Sequence, residues 1–308
     1  MKLNAAVNKF ESYLETQDRS PATIQGYKFD LKMFVEFILE DYDGEMPSVE
    51  TLDFSDVGNF KRHAIDAGKK PSTINRYIIA VRKLYKYLVK EGIVSENIAD
   101  DVTRLKEDAA SPKCIAKEDI RKIERAIKKS AKIRNMAMFS VLKNSGIRVS
   151  ELCNLKWTDY KPTKASGEAT ALLHIRHGKG SKSRLAYLNS EGVGFLRKYR
   201  KIQDAKRNRN PIQDSEYIFA STHSRCLDKP VTEVSIRKML KSYCERCGIE
   251  TIKPHDLRHT FAKNLIDAGK SVTVVAKLLG HSNLNMVFRY TTPTEVDLSA
   301  AVEEIAWT

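Results

Sequence analysis

A helix-start pattern that occurs twice, 50 residues apart, restricts the first part of this chain to packed helices. Pro21-Ala-Thr-Ile-Gln-Gly-Tyr27 recurs as Pro71-Ser-Thr-Ile-Asn-Arg-Tyr77. Proline is favoured in the first turn of a helix, and both segments continue with apolar residues at helical spacing. The matching stripes are Leu31, Phe34, Phe37 and Ile38, then Val81, Leu84, Tyr87 and Leu88. The pattern predicts two similar helices in a four- or five-helix bundle and leaves a true duplication open.

A stretch of small residues and proline at residues 107–113 separates this bundle from a second helical region. We therefore predict an N-terminal domain over residues 1–108, a linker over 109–114 and a second domain over 115–308. At 308 residues the chain is long for one domain and ordinary for two.

Charge is distributed unevenly between these regions. The whole chain carries a formal net charge of +14, yet residues 1–108 hold 16 Lys and Arg against 19 Asp and Glu. The remainder therefore carries +17. Within the first region, residues 61–90 hold nine Lys and Arg against Asp66 alone, and residues 176–209 form a second basic block. Such segregation favours a polyanionic partner, nucleic acid before membrane.

The second region is predicted to be helical around one β-hairpin. Residues 171–176 and 184–188 alternate or run apolar on either side of a glycine-rich turn that carries Lys179. Helical patterns occupy residues 117–130, 134–145, 148–152, 191–203, 231–247, 256–268, 271–279 and 284–291.

Cations, proton carriers and one phenol are concentrated in a few segments of this region. They are Arg148, Lys179, His255, Arg258, His281 and Tyr290. Two guanidiniums can neutralise the charge that accumulates on a phosphodiester under attack, without a metal. A tyrosine hydroxyl can form a covalent phosphotyrosine that conserves the bond energy for rejoining. Lysine and histidine can move the protons that such a reaction requires.

These segments resemble the tyrosine recombinase (phage integrase) family. The resemblance rests on Gly-x-Arg-x-Ser-Glu-Leu around Arg148, the Gly-Lys-Gly-x-Lys-x-Arg hairpin, Pro-His-x-Leu-Arg-His, Leu-Leu-Gly-His and the final Tyr290. It implies that Arg148 and Arg258 clamp the phosphate and that Lys179 is the general acid. It also implies that His255 manages protons, that His281 bonds the phosphate, and that Tyr290 is the nucleophile.

The resemblance further implies a mainly α fold, with a SAM-like core-binding helical bundle and an α-rich catalytic domain that has a small β-sheet. The function it implies is site-specific recombination of double-stranded DNA through a 3′-phosphotyrosine and a Holliday junction. No metal or other cofactor is required by this scheme. The alternatives are a type IB topoisomerase-like enzyme and a non-catalytic DNA-binding regulator derived from an integrase.

Two protomers are expected on the inverted elements of each DNA site, with four assembled on two duplexes. The tail at residues 291–308 has an apolar stripe that needs a groove in which to dock. The resemblance implies that the groove lies on a neighbouring protomer, and the alternative is a groove on its own domain. We place the DNA-binding surface at Lys69, Lys70, Asn75, Arg76, Arg82, Lys83, Lys182 and Arg184.

Several smaller features bear on location and on other chemistry. The start of the chain turns polar too soon for a signal peptide, and no apolar run is long enough to cross a bilayer. Five scattered cysteines suit a reducing cytoplasm. Cys244 and Cys247 form a CxxC within a helical pattern, which favours packing thiols over zinc or redox use. Glu151 either orients Arg148 or forms a surface ion pair, and His259 is expected to pack or to bond the backbone.

Overall fold

The computed structural model is mainly helical and divides into two compact units, Met1–Ala109 and Ala110–Thr308. This is the mainly α, two-domain fold that the sequence predicts. The residues that the structure describes are 1–17, 19–107, 113–165, 167–176, 183–209, 215–221, 229–280, 284–288, 290 and 299. No helix in these described ranges is both long enough and apolar enough to cross a membrane.

The first unit is a helical bundle. Its helices are α1 (Leu3–Thr16), α2 (Pro21–Asp41), α3 (Phe54–Asp66) and α4 (Pro71–Lys90). The two helices of the repeated pattern do begin at their prolines, and α2 is also capped by the Ser20 side chain, which accepts a hydrogen bond from Thr23 N. At the start of α3, Asp53 and Asp56 form a capping box. Sequence rules for helix starts therefore describe this unit well.

The second unit packs helices around a small sheet. Its helices are α5 (Lys117–Lys129), α6 (Ile133–Ser145), α7 (Val149–Cys153), α8 (Ser190–Arg209), α9 (Glu233–Arg246), α10 (Pro254–Asp267), α11 (Val272–Leu279) and α12 (Asn285–Phe288). The sheet is antiparallel in the order β1 (Tyr160–Ala165), β2 (Glu168–Ile175) and β3 (Arg184–Leu188). Helix α8 is longer than the predicted 191–203, and α12 ends before the predicted 291.

The predicted hairpin is present as β2 and β3, paired from Ala171 with Leu188 to Ile175 with Arg184. One face of this pair is buried, because side chains alternate along a strand and Ala171, Leu173 and Ile175 point into the core. Strand β1 was not predicted. Its sequence, Tyr-Lys-Pro-Thr-Lys-Ala, has no apolar alternation, and it pairs with β2 at the edge of the sheet.

Helix α6 runs through the centre of the second unit and is buried on most of its faces. Such a helix carries no clear amphipathic stripe, and its middle, residues 136–142, is apolar except for Ser140. It ends at Gly146, which has a φ of +61°. A Cβ at this position would lie 2.4 Å from Cδ1 of Phe261, so glycine is required both by the turn and by the contact with α10. This turn places Arg148 at the start of α7.

Candidate functional site

Arg148 is held by Glu151, one turn further along α7. The Arg148 side chain donates from Nη1 to Glu151 Oε1 at 2.9 Å, and its backbone N–H donates to Oε2 at 2.7 Å. The Glu151 side chain is 2% exposed, so this is not a surface ion pair. Of the two readings of Glu151 that the sequence leaves open, the structure selects the one in which it orients a guanidinium.

Glu151 binds a second guanidinium, that of Arg184 at the start of β3. Arg184 Nη2 lies 2.7 Å from Glu151 Oε2, and its Nη1 donates to the carbonyl of Leu278 at 3.1 Å. A Cβ on Gly280 would lie 2.3 Å from Arg184 Cδ, so this glycine lets the two segments meet. Arg184 therefore joins β3, α7 and the end of α11. The sequence predicts that this side chain contacts DNA, but in the structure its guanidinium makes contacts within the second unit.

Arg258 lies in the interior of the second unit. Its side chain is 2% exposed, and it donates from Nη1 to Gly146 O and from Nη2 to Leu279 O, each at 2.6 Å. Burial, with Arg148 and Arg184 adding repulsion, lowers the pKa of Arg258 to about 9, although Glu151 and Tyr290 act in the opposite direction. The group is still a cation at neutral pH.

The position of Arg258 follows from the residue at which helix α10 begins. Pro254 occupies the first turn, and the Asp256 side chain accepts a hydrogen bond from Lys253 N at 2.7 Å. His255 lies in the same first turn and is exposed to solvent, whereas Arg258, three residues later, is buried.

Tyr290 is buried rather than exposed, with 5% of its surface accessible. It belongs to a small apolar cluster that includes Val275, Leu279 and Val287, and its N–H donates to Val287 O at 2.9 Å. The Tyr290 hydroxyl shares a hydrogen bond with Nδ1 of His259. The sequence did not predict this hydrogen bond, although His259 does pack as expected, since its ring lies against that of His255. The sequence signal that was available is the four-residue spacing from His255 to His259, which puts both rings on one face of α10.

The structure thus links Arg148 and Tyr290 through Arg258, which is within electrostatic range of each of them. The rings of His255 and His259 have centroids 4.4 Å apart. Lys179, Lys182 and His281 lie outside the described residues.

The predicted DNA-binding residues of the first unit differ in their surroundings. Lys69, Lys70 and Lys83 are exposed. Arg76 pairs with Asp30 through Nη2 at 2.8 Å while its side chain stays 57% exposed.

Two of these predicted residues instead hold the first unit together. Asn75 is buried and bonds Leu105 in both directions, at 2.9 Å to its carbonyl and 2.8 Å from its N–H. Arg82 donates to the carbonyls of Ala99 and Val102, each at 2.9 Å from Nη2. Their contacts stabilise the segment that follows α4, so the prediction that they contact DNA does not fit the structure.

The CxxC pair shows the packing that its helical setting favours. Cys244 is buried, and burial raises the pKa of its thiol, while Cys247 is the C-cap residue of α9. Within the part of the chain that the structure describes, no group of three or more His, Cys, Asp or Glu side chains could hold a metal ion.

Comparison with known proteins identifies the family. Residues 113–296 match the phage integrase family, and residues 7–92 match the phage integrase N-terminal SAM-like domain. The chain is 32% identical to tyrosine recombinase XerC of Leptospira interrogans over 311 residues, which covers 98% of this chain and 91% of the relative. It is 27% identical over 297 residues to TnP I resolvase of Bacillus thuringiensis, covering 96% of this chain and 98% of that protein.

Solved structures share the fold. A XerH site-specific recombinase in a post-cleavage complex with palindromic difH substrate superposes with a TM-score of 0.73 at 22% identity, covering 95% of this chain and 84% of that one. A lambda integrase tetramer bound to a Holliday junction gives a TM-score of 0.72 at 19% identity, covering 94% and 77%. The chain belongs to the phage integrase family and is a site-specific tyrosine recombinase.

Proposed function

We propose that this protein cuts and rejoins double-stranded DNA through a 3′-phosphotyrosyl bond to Tyr290, by way of a Holliday junction. The observation that carries the proposal is the placement of the Tyr290 phenol within electrostatic range of Arg258, which in turn interacts with Arg148. Attack by the phenol places negative charge on the non-bridging oxygens of the phosphate. Two guanidiniums fixed in advance stabilise that charge without reorganisation during the reaction.

Preorganisation of the two arginines supports these roles. Glu151 sets the orientation of Arg148, and two backbone carbonyls set the plane of Arg258. A guanidinium held in this way can bind two phosphate oxygens at once, which a lysine cannot do. The conformational entropy of these two side chains is lost when the protein folds, so its loss does not add to the activation free energy of the reaction.

The remaining roles follow the family resemblance. Lys179 protonates the departing 5′ oxygen, His255 manages protons at the phosphate, and His281 bonds a phosphate oxygen. Support for Lys179 comes from its position in the chain between β2 and β3, because β3 begins at Arg184, which is tied to Glu151 beside Arg148. No metal or other cofactor takes part in this scheme.

We propose DNA with inverted recombinase-binding elements as the partner, two protomers on each site and a tetramer on two sites. Residues 1–108 would act as the core-binding domain, 109–114 as the linker and 115–308 as the catalytic domain, with residues 291–308 docking on a neighbour. Exposed Lys69, Lys70 and Lys83 supply phosphate contacts. The solved relatives bound to a difH substrate and to a Holliday junction support this assembly.

The cytoplasm is the proposed location, because the substrate is DNA and the cysteines suit a reducing compartment.

Covalent trapping tests the proposal. Purified protein is incubated with genomic DNA, the covalently joined sites are mapped, and a nicked duplex of the mapped sequence is used as substrate. Wild type should accumulate a protein–DNA adduct, Tyr290→Phe should give none, and Tyr187→Phe, an exposed tyrosine on β3, should match wild type. An adduct with Tyr290→Phe contradicts the assignment. Relaxation of supercoils without site preference would identify a topoisomerase, and binding without an adduct would identify a regulator.

A further inference from the structure

His259 touches the proposed nucleophile and has no role in the scheme above. Its Nδ1 and the Tyr290 hydroxyl share a hydrogen bond, and the two ring centroids are 5.6 Å apart with an interplanar angle of 49°. The phenol is buried in the apolar cluster of α10, α11 and α12. The Tyr290 oxygen therefore has an imidazole nitrogen within hydrogen-bond distance.

We propose that His259 is a catalytic residue that takes the phenol proton of Tyr290 during strand cleavage and returns it when the strand is rejoined. The inference rests on the proposed function of Tyr290 as nucleophile. In a neutral imidazole one ring nitrogen accepts a hydrogen bond and the other donates one. In this proposal Nδ1 of His259 accepts the hydrogen bond from the Tyr290 hydroxyl.

The step balances as follows. The Tyr290 O–H bond breaks and its proton moves to His259 Nδ1 while the phenol oxygen forms a bond to phosphorus. The bond from phosphorus to the 5′ oxygen breaks, and that oxygen takes a proton from the general acid, proposed above as Lys179. Rejoining reverses both transfers, so the protein ends with the protons with which it began.

Two features of α10 suit His259 to this task. The ring is only half-buried and stands against His255, an exposed side chain one turn earlier, with ring centroids 4.4 Å apart. A solvent-exposed imidazole therefore packs against the ring that contacts the phenol. On the same helix, Arg258 is anchored to two carbonyls, which fixes the helix against α11 and the turn after α6.

The Tyr290 phenol is within electrostatic range of Arg258, which interacts in turn with charged groups on other elements. Arg258 and His255 lie on α10, Arg148 and Glu151 on or next to α7, and Arg184 on β3. Arg258 favours the phenolate that forms as the proton leaves, while Arg148, Arg184 and Glu151 act on the charge of Arg258 itself. The proton therefore moves to a neutral base while a cation already present in the site stabilises the phenolate that is left.

Two substitutions separate proton transfer from hydrogen bonding. In His259→Asn the side-chain amide oxygen can occupy the position of Nδ1 and accept the hydrogen bond, but it cannot carry a proton away. In His259→Ala both capacities are lost. His63→Asn, on α3 in the other unit, is the matched control for a histidine-to-asparagine change. Single-turnover adduct formation is measured on the nicked duplex and on the same duplex with sulfur in place of the bridging 5′ oxygen.

We expect both His259 variants to bind the duplex with wild-type affinity and to form the adduct about 100-fold more slowly, which is the lower range for loss of a general base. The sulfur leaving group needs no proton, so it should restore Lys179→Ala and leave the His259 variants slow. The wild-type rate should fall at least about tenfold from pH 7.5 to 5.5, where imidazoles ordinarily gain a proton. His63→Asn should match wild type throughout.

A wild-type rate for His259→Asn overturns the proposal, because a hydrogen bond alone would then suffice. Rescue of His259→Asn by sulfur also overturns it, since His259 would be serving the leaving group. A flat wild-type profile from pH 7.5 to 5.5 overturns it even if neither variant folds. If wild type forms no adduct with either duplex, the proposed function fails, and that result is distinct from the others.

Discussion

Arg258 holds the catalytic unit together in addition to its proposed role at the phosphate. Its guanidinium ties the Gly146 carbonyl at the end of α6 to the Leu279 carbonyl at the end of α11. A buried carbonyl that loses a charged donor costs free energy, so this residue cannot be replaced without an effect on the fold. Binding, catalysis and stability must therefore be measured on the same variants.

We expect Arg258→Ala to lower the free energy of unfolding by about 3 kcal/mol, since two charge-assisted hydrogen bonds to buried carbonyls are lost. Adduct formation on the nicked duplex should fall about 1,000-fold, while affinity for the duplex stays near wild type. Arg125→Ala is the control, because that side chain is exposed on α5 and should change stability by under about 0.5 kcal/mol. Near wild-type cleavage by Arg258→Ala would show that the site is wrongly assigned.

Gly280 offers a test of the contact between β3 and α11. Gly280→Ala places a Cβ 2.3 Å from Arg184 Cδ at a φ of +67°, whereas Gly269→Ala has a similar φ of +73° and nothing within 4 Å. The control should lose about 1 kcal/mol to the left-handed backbone alone. Gly280→Ala should lose about twice that or more and should slow adduct formation at least about tenfold, because Arg184 is displaced from Glu151. Equal stability in chemical denaturation and equal rates in cleavage assays would show that the contact of Arg184 with Glu151 is not needed for cleavage.

At the scale of elements, the sequence predicted the helices better than the contacts between them. Pro21 and Pro71 predict the starts of α2 and α4, and apolar alternation predicts the hairpin of β2 and β3. Strand β1 gave no such signal, because an edge strand can be polar on both faces. Neither Arg184 nor His259 could be assigned, since a guanidinium that binds a carboxylate and one that binds a phosphate look alike in sequence.

Adjacent residues on α4 illustrate the same limit and provide a matched pair. Arg82→Ala should lower the free energy of unfolding by about 2 kcal/mol, because its guanidinium bonds the carbonyls of Ala99 and Val102. Lys83→Ala should leave stability unchanged, weaken DNA binding and reduce the slope of log affinity against log salt by about 0.9. Thermal unfolding and binding titrations at several salt concentrations measure both effects. If Arg82→Ala instead changes the salt slope and leaves stability intact, the assignment of the DNA-facing side of α4 is reversed.

For the whole molecule, charge is placed where the proposed chemistry requires it. Residues 1–108 are net negative at −3 and yet hold nine basic residues within 61–90, so any phosphate contacts in this unit are local. The remainder at +17 contains the arginine cluster. Charge segregation favours a polyanionic partner, and hydrogen-bond partners together with burial separate the basic residues that hold the fold together from those left to meet DNA.

Assembly of protomers depends in this proposal on the apolar stripe of the tail, Leu298, Val302 and Ile305. We expect the triple change of these residues to Asp to leave adduct formation on a single nicked duplex within about twofold of wild type. Complexes that contain two duplexes, and recombinant products, should fall at least about tenfold, since buried charge opposes docking in an apolar groove. Glu303→Gln with Glu304→Gln is the control on the same segment. Sedimentation of complexes with two differently labelled duplexes gives the readout. If the tail instead packs on its own domain, the triple variant unfolds at a lower temperature without DNA and cleaves the single duplex poorly.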